Sequence, residues 1–218
     1  MNEPQVTVLY YTSNKEQEPF ASMIRDNIMK LKGDLPLISV SQKPLENFGH
    51  NICVGEHYPC YPNEFRQIQI GLKEVKTPFV LHAEADFLYP PEYFKFVPPE
   101  PRCYRYDNVW IAYKGGKRYY FKGQAKTGAE INHTKTWLDT VDNYFKGRPE
   151  WLKEGDRKPQ KDVAYSEEKE HVWTGNPAIS FKTRDGIRWH TNVMNNRTPQ
   201  MFIPYWGSRA RLETEMFG

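Results

Sequence analysis

Cysteine is scarce in this chain. Cys53, Cys60 and Cys103 are the three among 218 residues. An odd number with no C-x-x-C pair argues against a disulfide framework and fits a reducing compartment. Long apolar runs are lacking as well. No stretch approaches the ~18 residues of a membrane span, so no membrane partner is expected. The N-terminus lacks the basic, apolar and small-residue pattern of a signal peptide, because Met1 to Gln5 leads straight into a strand. The expected location is the cytoplasm. There is no internal repeat. A glycine-rich phosphate loop is also missing where a nucleotidyltransferase would carry one, since the first strand is followed by Thr12-Ser13-Asn14-Lys15.

What is present points to a folded domain. Aromatics make up 15% of the chain and charged residues 26%, a composition that supports a packed core. The length suits one domain over 1–218. Charge is unevenly spread within it. Residues 1–100 carry 9 Lys and Arg against 13 Asp and Glu, a net −4; residues 101–218 carry 21 against 14, a net +7. The second half is the expected face for an anionic partner.

The first hundred residues alternate strand and helix. Val6 to Tyr11 is β-branched and aromatic and reads as a strand. Pro19 to Lys32 carries Phe20, Met23, Ile24, Ile28 and Leu31 at helical spacing and is closed by Gly33. Strands are expected at Pro36–Ser41 and Asn51–Gly55, and an amphipathic helix at Asn63–Lys76. A buried strand, Phe79-Val80-Leu81, follows. This order predicts an α/β fold with a mainly parallel central sheet that binds a ligand across its strand ends. The second half predicts a strand over Cys103–Ala112 and another over Arg118–Lys122, joined as a hairpin by Lys114-Gly115-Gly116-Lys117. A helix is expected over Thr127–Phe145 and an exposed, mobile loop over Lys146–Glu170. Short strands are expected in His171–Lys182 and Ile187–Val193, and a docked aromatic tail over Phe202–Gly207.

The chemistry centres on Thr77 to Phe94, T-P-F-V-L-H-A-E-A-D-F-L-Y-P-P-E-Y-F. Glu84 and Asp86 lie at i and i+2 just past the apolar run. If the chain is still extended there, both project from one face at the strand's C-terminal end. Two carboxylates at that edge suit a Mg²⁺ or Mn²⁺ ion carrying a diphosphate. The alternative is an acidic turn. A second cluster, His50, Cys53, His57 and Cys60, falls within eleven residues and has zinc-ligand chemistry. The strand alternation of Ile52-Cys53-Val54 would scatter those side chains, which favours buried thiols instead.

The arrangement resembles that of small, family-2-like nucleotide-sugar glycosyltransferases of the GT-A fold. The resemblance is carried by N-I-C-V-G-E, R-Q-I-Q-I-G-L-K-E-V-K-T-P-F-V and A-E-A-D-F-L-Y-P-P-E-Y-F between Asn51 and Phe94. Asn108-Val109-Trp110 and the late N-P-A-I-S-F-K-T-R-D-G-I-R-W-H-T run add to it. The usual D-x-D stands here as Glu84-x-Asp86. The resemblance implies a GT-A-like sheet flanked by helices, with an acceptor-side region of short strands and a helix after residue 100. It implies transfer of a sugar from a nucleoside-diphosphate sugar, a UDP-sugar foremost, to a hydroxyl. Glu84, Asp86 and His190 would hold Mn²⁺ or Mg²⁺, which stabilises the leaving diphosphate as a Lewis acid. Tyr11, Thr12, Ser13, Arg66 and Gln67 would bind the donor. Glu130, read as opening the helix after the hairpin, would be the general base, with Asp107, Asp139 and Asp142 in reserve.

The acceptor side is read from the residues themselves. Lys114, Lys117, Arg118, Lys122 and Lys126 interleave with Tyr113, Tyr119, Tyr120 and Phe121, a pattern that can neutralise phosphates and stack bases. Small transferases of this general type glycosylate hydroxymethylated bases of phage DNA, and DNA carrying 5-hydroxymethylpyrimidines is the expected acceptor. Two alternatives stay open: a nucleotidyltransferase, and a non-catalytic nucleic-acid-binding domain that would leave Glu84 and Asp86 without a task.

Overall fold

The computed structural model describes residues 3–124, 127–156, 171–185 and 198–218. The chain opens with β1 (Val6–Thr12), α1 (Phe20–Leu31), β2 (Leu37–Ser41), β3 (His50–Cys53), α2 (Tyr61–Glu74) and β4 (Phe79–Glu84). It continues through β5 (Phe87–Leu88), a 3-10 turn at Pro91–Lys95, β6 (Tyr104–Tyr106), β7 (Val109–Tyr113), β8 (Tyr119–Gly123), β9 (Glu130–His133) and α3 (Thr134–Phe145). The last elements are β10 (His171–Trp173), β11 (Ala178–Lys182), β12 (Pro199–Gln200), β13 (Phe202–Ile203), β14 (Gly207–Ser208) and α4 (Arg209–Phe217).

The large sheet runs in the order β10-β6-β9-β4-β1-β2-β3, with β3, β2, β1 and β4 mutually parallel and β9 antiparallel to both neighbours. A second sheet runs β12-β8-β7-β11-β5. The architecture is mixed α/β, a large and mainly parallel central sheet flanked by helices.

Burial explains the parallel half. Every residue of β1 and β2 is buried, as expected for strands covered on both faces. On one face Phe20, Ile24 and Ile28 of α1 pack with Val6, Val8 and Tyr10. On the other, Phe65, Ile68 and Leu72 of α2 pack with Leu9, Tyr11 and Val40. Helical spacing on each helix matches the two-residue period of the strand beneath it. Gly71 lets α2 close on the sheet, since a Cβ there would run into Leu9 and Val40. The α1-side core continues into the second sheet through Val109, Ala112, Ile179 and Phe181.

Three expectations need correction. The helix over Thr127–Phe145 starts only at Thr134; Glu130–His133 is instead a strand inserted between β4 and β6. Ile131 fits a helical stripe equally well, so the periodicity could not reveal this pairing with distant strands. The strand over Cys103–Ala112 is two strands in different sheets, divided at Asp107-Asn108. The first part of the Lys146–Glu170 loop is anchored: Asn63 exchanges hydrogen bonds of 2.9 Å with the backbone of Leu152, and Trp151 stacks on His57 at 3.6 Å. Residues 157–170 lie outside the described residues, as does the strand expected at Ile187–Val193.

His50, Cys53, His57 and Cys60 leave two readings open, zinc ligands or, as favoured, buried thiols. Among the described residues no group of three or more His, Cys, Asp or Glu is gathered to hold a metal. Cys53 is exposed and Cys60 buried, and His57 Nε2 is 3.0 Å from the Val54 carbonyl oxygen. Cys60 fits the buried-thiol reading and Cys53, on the strand, does not. The aromatic tail does dock, with Ile203 buried and Trp206 donating to the Pro177 carbonyl. It then continues into α4, whose Leu212 and Met216 join the core. Among the described residues, no helix is long and apolar enough to cross a membrane.

Candidate functional site

The strand order locates the site. From β1 the chain runs outward to β2 and β3, then returns through α2 to β4 on the other side of β1. The carboxyl ends of β1 and β4 therefore flank the point where the winding reverses, the position at which open α/β sheets leave a crevice. Tyr11 and Glu84 face each other across it, the Tyr11 hydroxyl donating to Glu84 Oε1 at 3.0 Å. Thr127 Oγ1 donates to the same oxygen, also at 3.0 Å.

Gly128 follows, packed so tightly that a Cβ would stand 2.6 Å from both Glu84 Oε2 and the Phe87 ring. The Tyr89 hydroxyl accepts from the Glu84 N–H at 2.9 Å and donates to the Gly128 carbonyl at 2.6 Å, clamping this segment to the end of β4. Gly128→Ala is expected to push the Glu84 carboxylate aside and lower turnover by roughly 10- to 100-fold, as small misplacements in active sites do. Steady-state rates with whichever nucleotide sugar the protein turns over check this; an unchanged rate would separate Glu84 from the chemistry.

Asp86 does not continue the strand. Ala85-Asp86 forms the turn that carries the chain from β4 in the large sheet to β5 in the second. The Asp86 carbonyl accepts from Phe181 N–H at 2.7 Å, which fastens the turn to β11. The next residue of β11 is Lys182, and its Nζ lies 2.9 Å from Asp86 Oδ2. Lys182 was invisible as a site residue in the sequence, where it reads as the end of an ordinary strand.

Further acids surround this pair. Thr183 Oγ1 donates to Glu16 Oε1 at 3.0 Å. Burial, together with the Asp86 charge, pushes Glu16 and Glu84 each up to about 7. Burial and the Glu84 and Asp86 charges hold Glu64, in the first turn of α2, well above the usual carboxylate range. Burial alone would lower the Lys182 pKa, but the Asp86 charge and hydrogen bond outweigh it and hold the ammonium above the usual lysine value.

Beside the cluster a cavity of about 590 Å³ opens between the loops that follow β1 and β2, lined by Tyr10, Thr12, Asn14, Glu16, Arg25 and Lys43 among others. Asn14 joins the two loops: its Oδ1 accepts from the N–H groups of Gln42 and Lys43 at 2.8 and 2.9 Å. Asn14 has a φ of 53°, a left-handed conformation that Asn tolerates better than most residues. A second cleft, of about 580 Å³, is lined by Trp110, Phe121, Lys122, Thr198 and Gln200.

The remaining sequence candidates divide. Thr12, the last residue of β1, lines the cavity, and the half-buried Ser13 follows it. Arg66 and Gln67 are occupied elsewhere, which corrects their reading as donor ligands. Gln67 is buried and donates to the carbonyls of Thr12 and Val40, bracing β1 to β2. Arg66 lies over the Phe145 ring and donates to the carbonyls of Pro149 and Glu150. Glu130 is buried against Arg105, 3.7 Å away, and accepts from Asn132. A carboxylate closed in this way is poorly placed to take a proton from an acceptor. Of the reserve acids, Asp139 pairs with Lys135 on the surface of α3 and Asp142 accepts from Gln69. Asp107 sits in the turn between β6 and β7.

Among the described residues the basic side chains of this region have different settings. Lys114 pairs with Asp185 at 3.7 Å and lies over Phe217. Lys117 and Arg118 are exposed at the hairpin turn, Tyr120 packs edge-on to Tyr113, and the Lys122 charge reaches Glu84. His190 and Lys126 lie outside the described residues.

The carboxylates fit a ready-made divalent site poorly. Glu84 Oε1 already accepts two hydrogen bonds, Asp86 is ion-paired, and among the described residues no three His, Cys, Asp or Glu side chains, Glu16 and Glu64 included, converge closely enough to hold a metal ion.

No protein-family model matches the chain, and no curated protein does. Solved structures are similar in general architecture. The bifunctional IspDF from Campylobacter jejuni aligns with a TM-score of 0.44 at 8% identity, over 78% of this chain and 49% of that one. S. aureus TarS in complex with UDP-GlcNAc aligns at 0.40 and 12% identity, over 62% and 47%. HddC from Yersinia pseudotuberculosis aligns at 0.46 and 10% identity, over 80% and 92%. The chain spans about half the length of the first two, and scores of this size assign no function.

Proposed function

We propose that this chain is a transferase that takes a nucleoside-diphosphate sugar, a UDP-sugar foremost, and passes the sugar to a hydroxyl. The observation that carries the reading is the crevice between β1 and β4, where Tyr11, Glu84 and the Asp86–Lys182 pair meet beside the 590 Å³ cavity. Its position at the winding reversal is where a nucleotide binds in sheets of this kind. The cavity wall suits a polyhydroxylated ligand, since Glu16 and Glu46 line it with carboxylates beside the Arg25–Glu18 pair and Lys43, which is itself paired with Glu56. Glu84, half-buried at the strand end, takes the place expected of Glu130 as the carboxylate that receives the acceptor's proton.

Sugar transfer is favoured over nucleotidyl transfer by the loop after β1. That loop, Ser13 to Pro19, contains no glycine to cradle a triphosphate. DNA carrying 5-hydroxymethylpyrimidines, the acceptor expected from the basic and aromatic hairpin, draws no support from the scattered placement of those residues.

The test is to incubate the protein with a panel of nucleotide sugars, and separately with nucleoside triphosphates plus sugar 1-phosphates. Release of nucleoside diphosphate from a nucleotide sugar is the expected result. Release of inorganic diphosphate from a triphosphate would move the protein to the nucleotidyltransferases, and neither product would set the reading aside.

A further inference from the structure

The resemblance in the sequence implies a divalent cation to stabilise the leaving diphosphate, yet the acid expected to hold it is already paired with a lysine. We propose that Lys182 is the resident cation of this site: its ammonium, aimed by Asp86, binds the donor's diphosphate and supports transfer without a bound divalent metal. The inference rests on the nucleotide-sugar reading and adds to it the group that meets the phosphates.

Three features of the structure support it. The first is that the pair is built into the fold. The Phe181 N–H to Asp86 carbonyl bond and the adjacent pairing of Ser180 with Phe87 hold β11 against the turn, so Lys182 comes to Asp86 by backbone register. The second is accessibility. The Lys182 and Asp86 side chains keep 17% and 23% of their exposure, so the pair is mostly desolvated but still open to a ligand. An ammonium in such a place interacts more strongly with phosphate oxygens than one in bulk water. The third is donor capacity. An ammonium carries three N–H donors, and Asp86 engages one, which leaves two for oxygens of a diphosphate.

The step balances without a metal. The bond between the sugar's anomeric carbon and the diphosphate oxygen breaks, and its electron pair stays on that oxygen, where Lys182 donates hydrogen bonds. The acceptor oxygen bonds to the anomeric carbon, and its proton passes to a carboxylate of the cluster. Charge-assisted hydrogen bonds of this kind aimed at developing negative charge are a main source of catalysis.

Calorimetric binding of UDP, GDP, ADP, CDP and inorganic diphosphate, each in EDTA and in Mn²⁺, tests the proposal. Wild type is expected to bind one of the nucleotides in EDTA within about threefold of its affinity in Mn²⁺. Lys182→Met should lose about tenfold or more in EDTA, and Lys182→Arg should keep most of the affinity. Lys182→Gln, which can hydrogen-bond Asp86, serves if the Met variant fails to fold. Binding by wild type only in Mn²⁺ overturns the proposal and leaves the nucleotide-sugar reading standing. Equal binding by wild type and the Met or Gln variant in EDTA does the same. No binding of any probe in either buffer overturns both.

Discussion

Asp86→Asn is expected to lower sugar transfer by roughly 10²-fold or more while leaving the folded state almost as stable as wild type. The change keeps the size of the side chain and its ability to accept a hydrogen bond, but removes the charge that aims Lys182. The tertiary anchor of this turn survives, because the bond from Phe181 uses the Asp86 backbone carbonyl. Asp86 lies in a half-buried turn between two sheets, so little packing is lost. Nucleotide binding should survive as well, since the ammonium is still present. The loss should therefore fall on kcat more than on affinity, as for an interaction that matters most in the transition state. Initial rates, a binding isotherm and a thermal midpoint on the same preparation decide it. Full activity in the Asn variant would remove Asp86 from the mechanism, and a collapsed midpoint would make its role structural.

The second large effect is on stability and comes from His82. This residue lies in the middle of β4, fully buried, edge-on to the Tyr11 ring at 5.9 Å and the Trp137 ring at 6.1 Å. Among the described residues neither of its ring nitrogens has a hydrogen-bond partner. Burial depresses its pKa to about 3. An unfolded histidine titrates near 6.5, so below that pH the unfolded chain binds a proton that the native state refuses. The contribution to stability is complete above about pH 6.5 and is lost as pH falls toward 3, with roughly 4–5 kcal/mol at stake by the end of that window.

His82→Leu removes both the acid penalty and the unsatisfied nitrogens. It should raise stability at neutral pH by roughly 1–2 kcal/mol and flatten the decline on the acid side. Urea midpoints of the two proteins between about pH 4 and pH 7 show the difference. Parallel pH profiles would mean that the ring finds a proton acceptor in the native state.

The parallel half of the fold was legible because its signals are local. Phe20, Ile24 and Ile28 mark one helix face and Phe65, Ile68 and Leu72 another, and an uninterrupted Val-Thr-Val-Leu-Tyr-Tyr run marks a strand covered on both sides. The strand β9 was not legible. Four residues that lead directly into a helix carry too little periodicity, and their strand identity comes from β4 and β6 rather than from themselves. Helix α4 was hidden in the same way: Arg209 is buried inside the fold, donating to the Tyr113 carbonyl and paired with Glu213, where a charged residue in sequence suggests surface.

By itself the sequence determined the α/β character and the strand that leads into the Glu84-x-Asp86 pair, with Glu84 at its carboxyl end and Asp86 expected there too. These follow from hydrophobic periodicity and chain order, which are properties of neighbouring residues. Only the tertiary structure decided what the acids do. It turned the chain at Asp86 into a second sheet, brought Lys182 to it from 96 positions away, and gathered Glu16 and Glu64 around the pair. It also committed Arg66, Gln67 and Glu130 to internal contacts. The physical reason is that charges act through space: which ones meet depends on how distant strands are brought into register, and no local pattern records that distance.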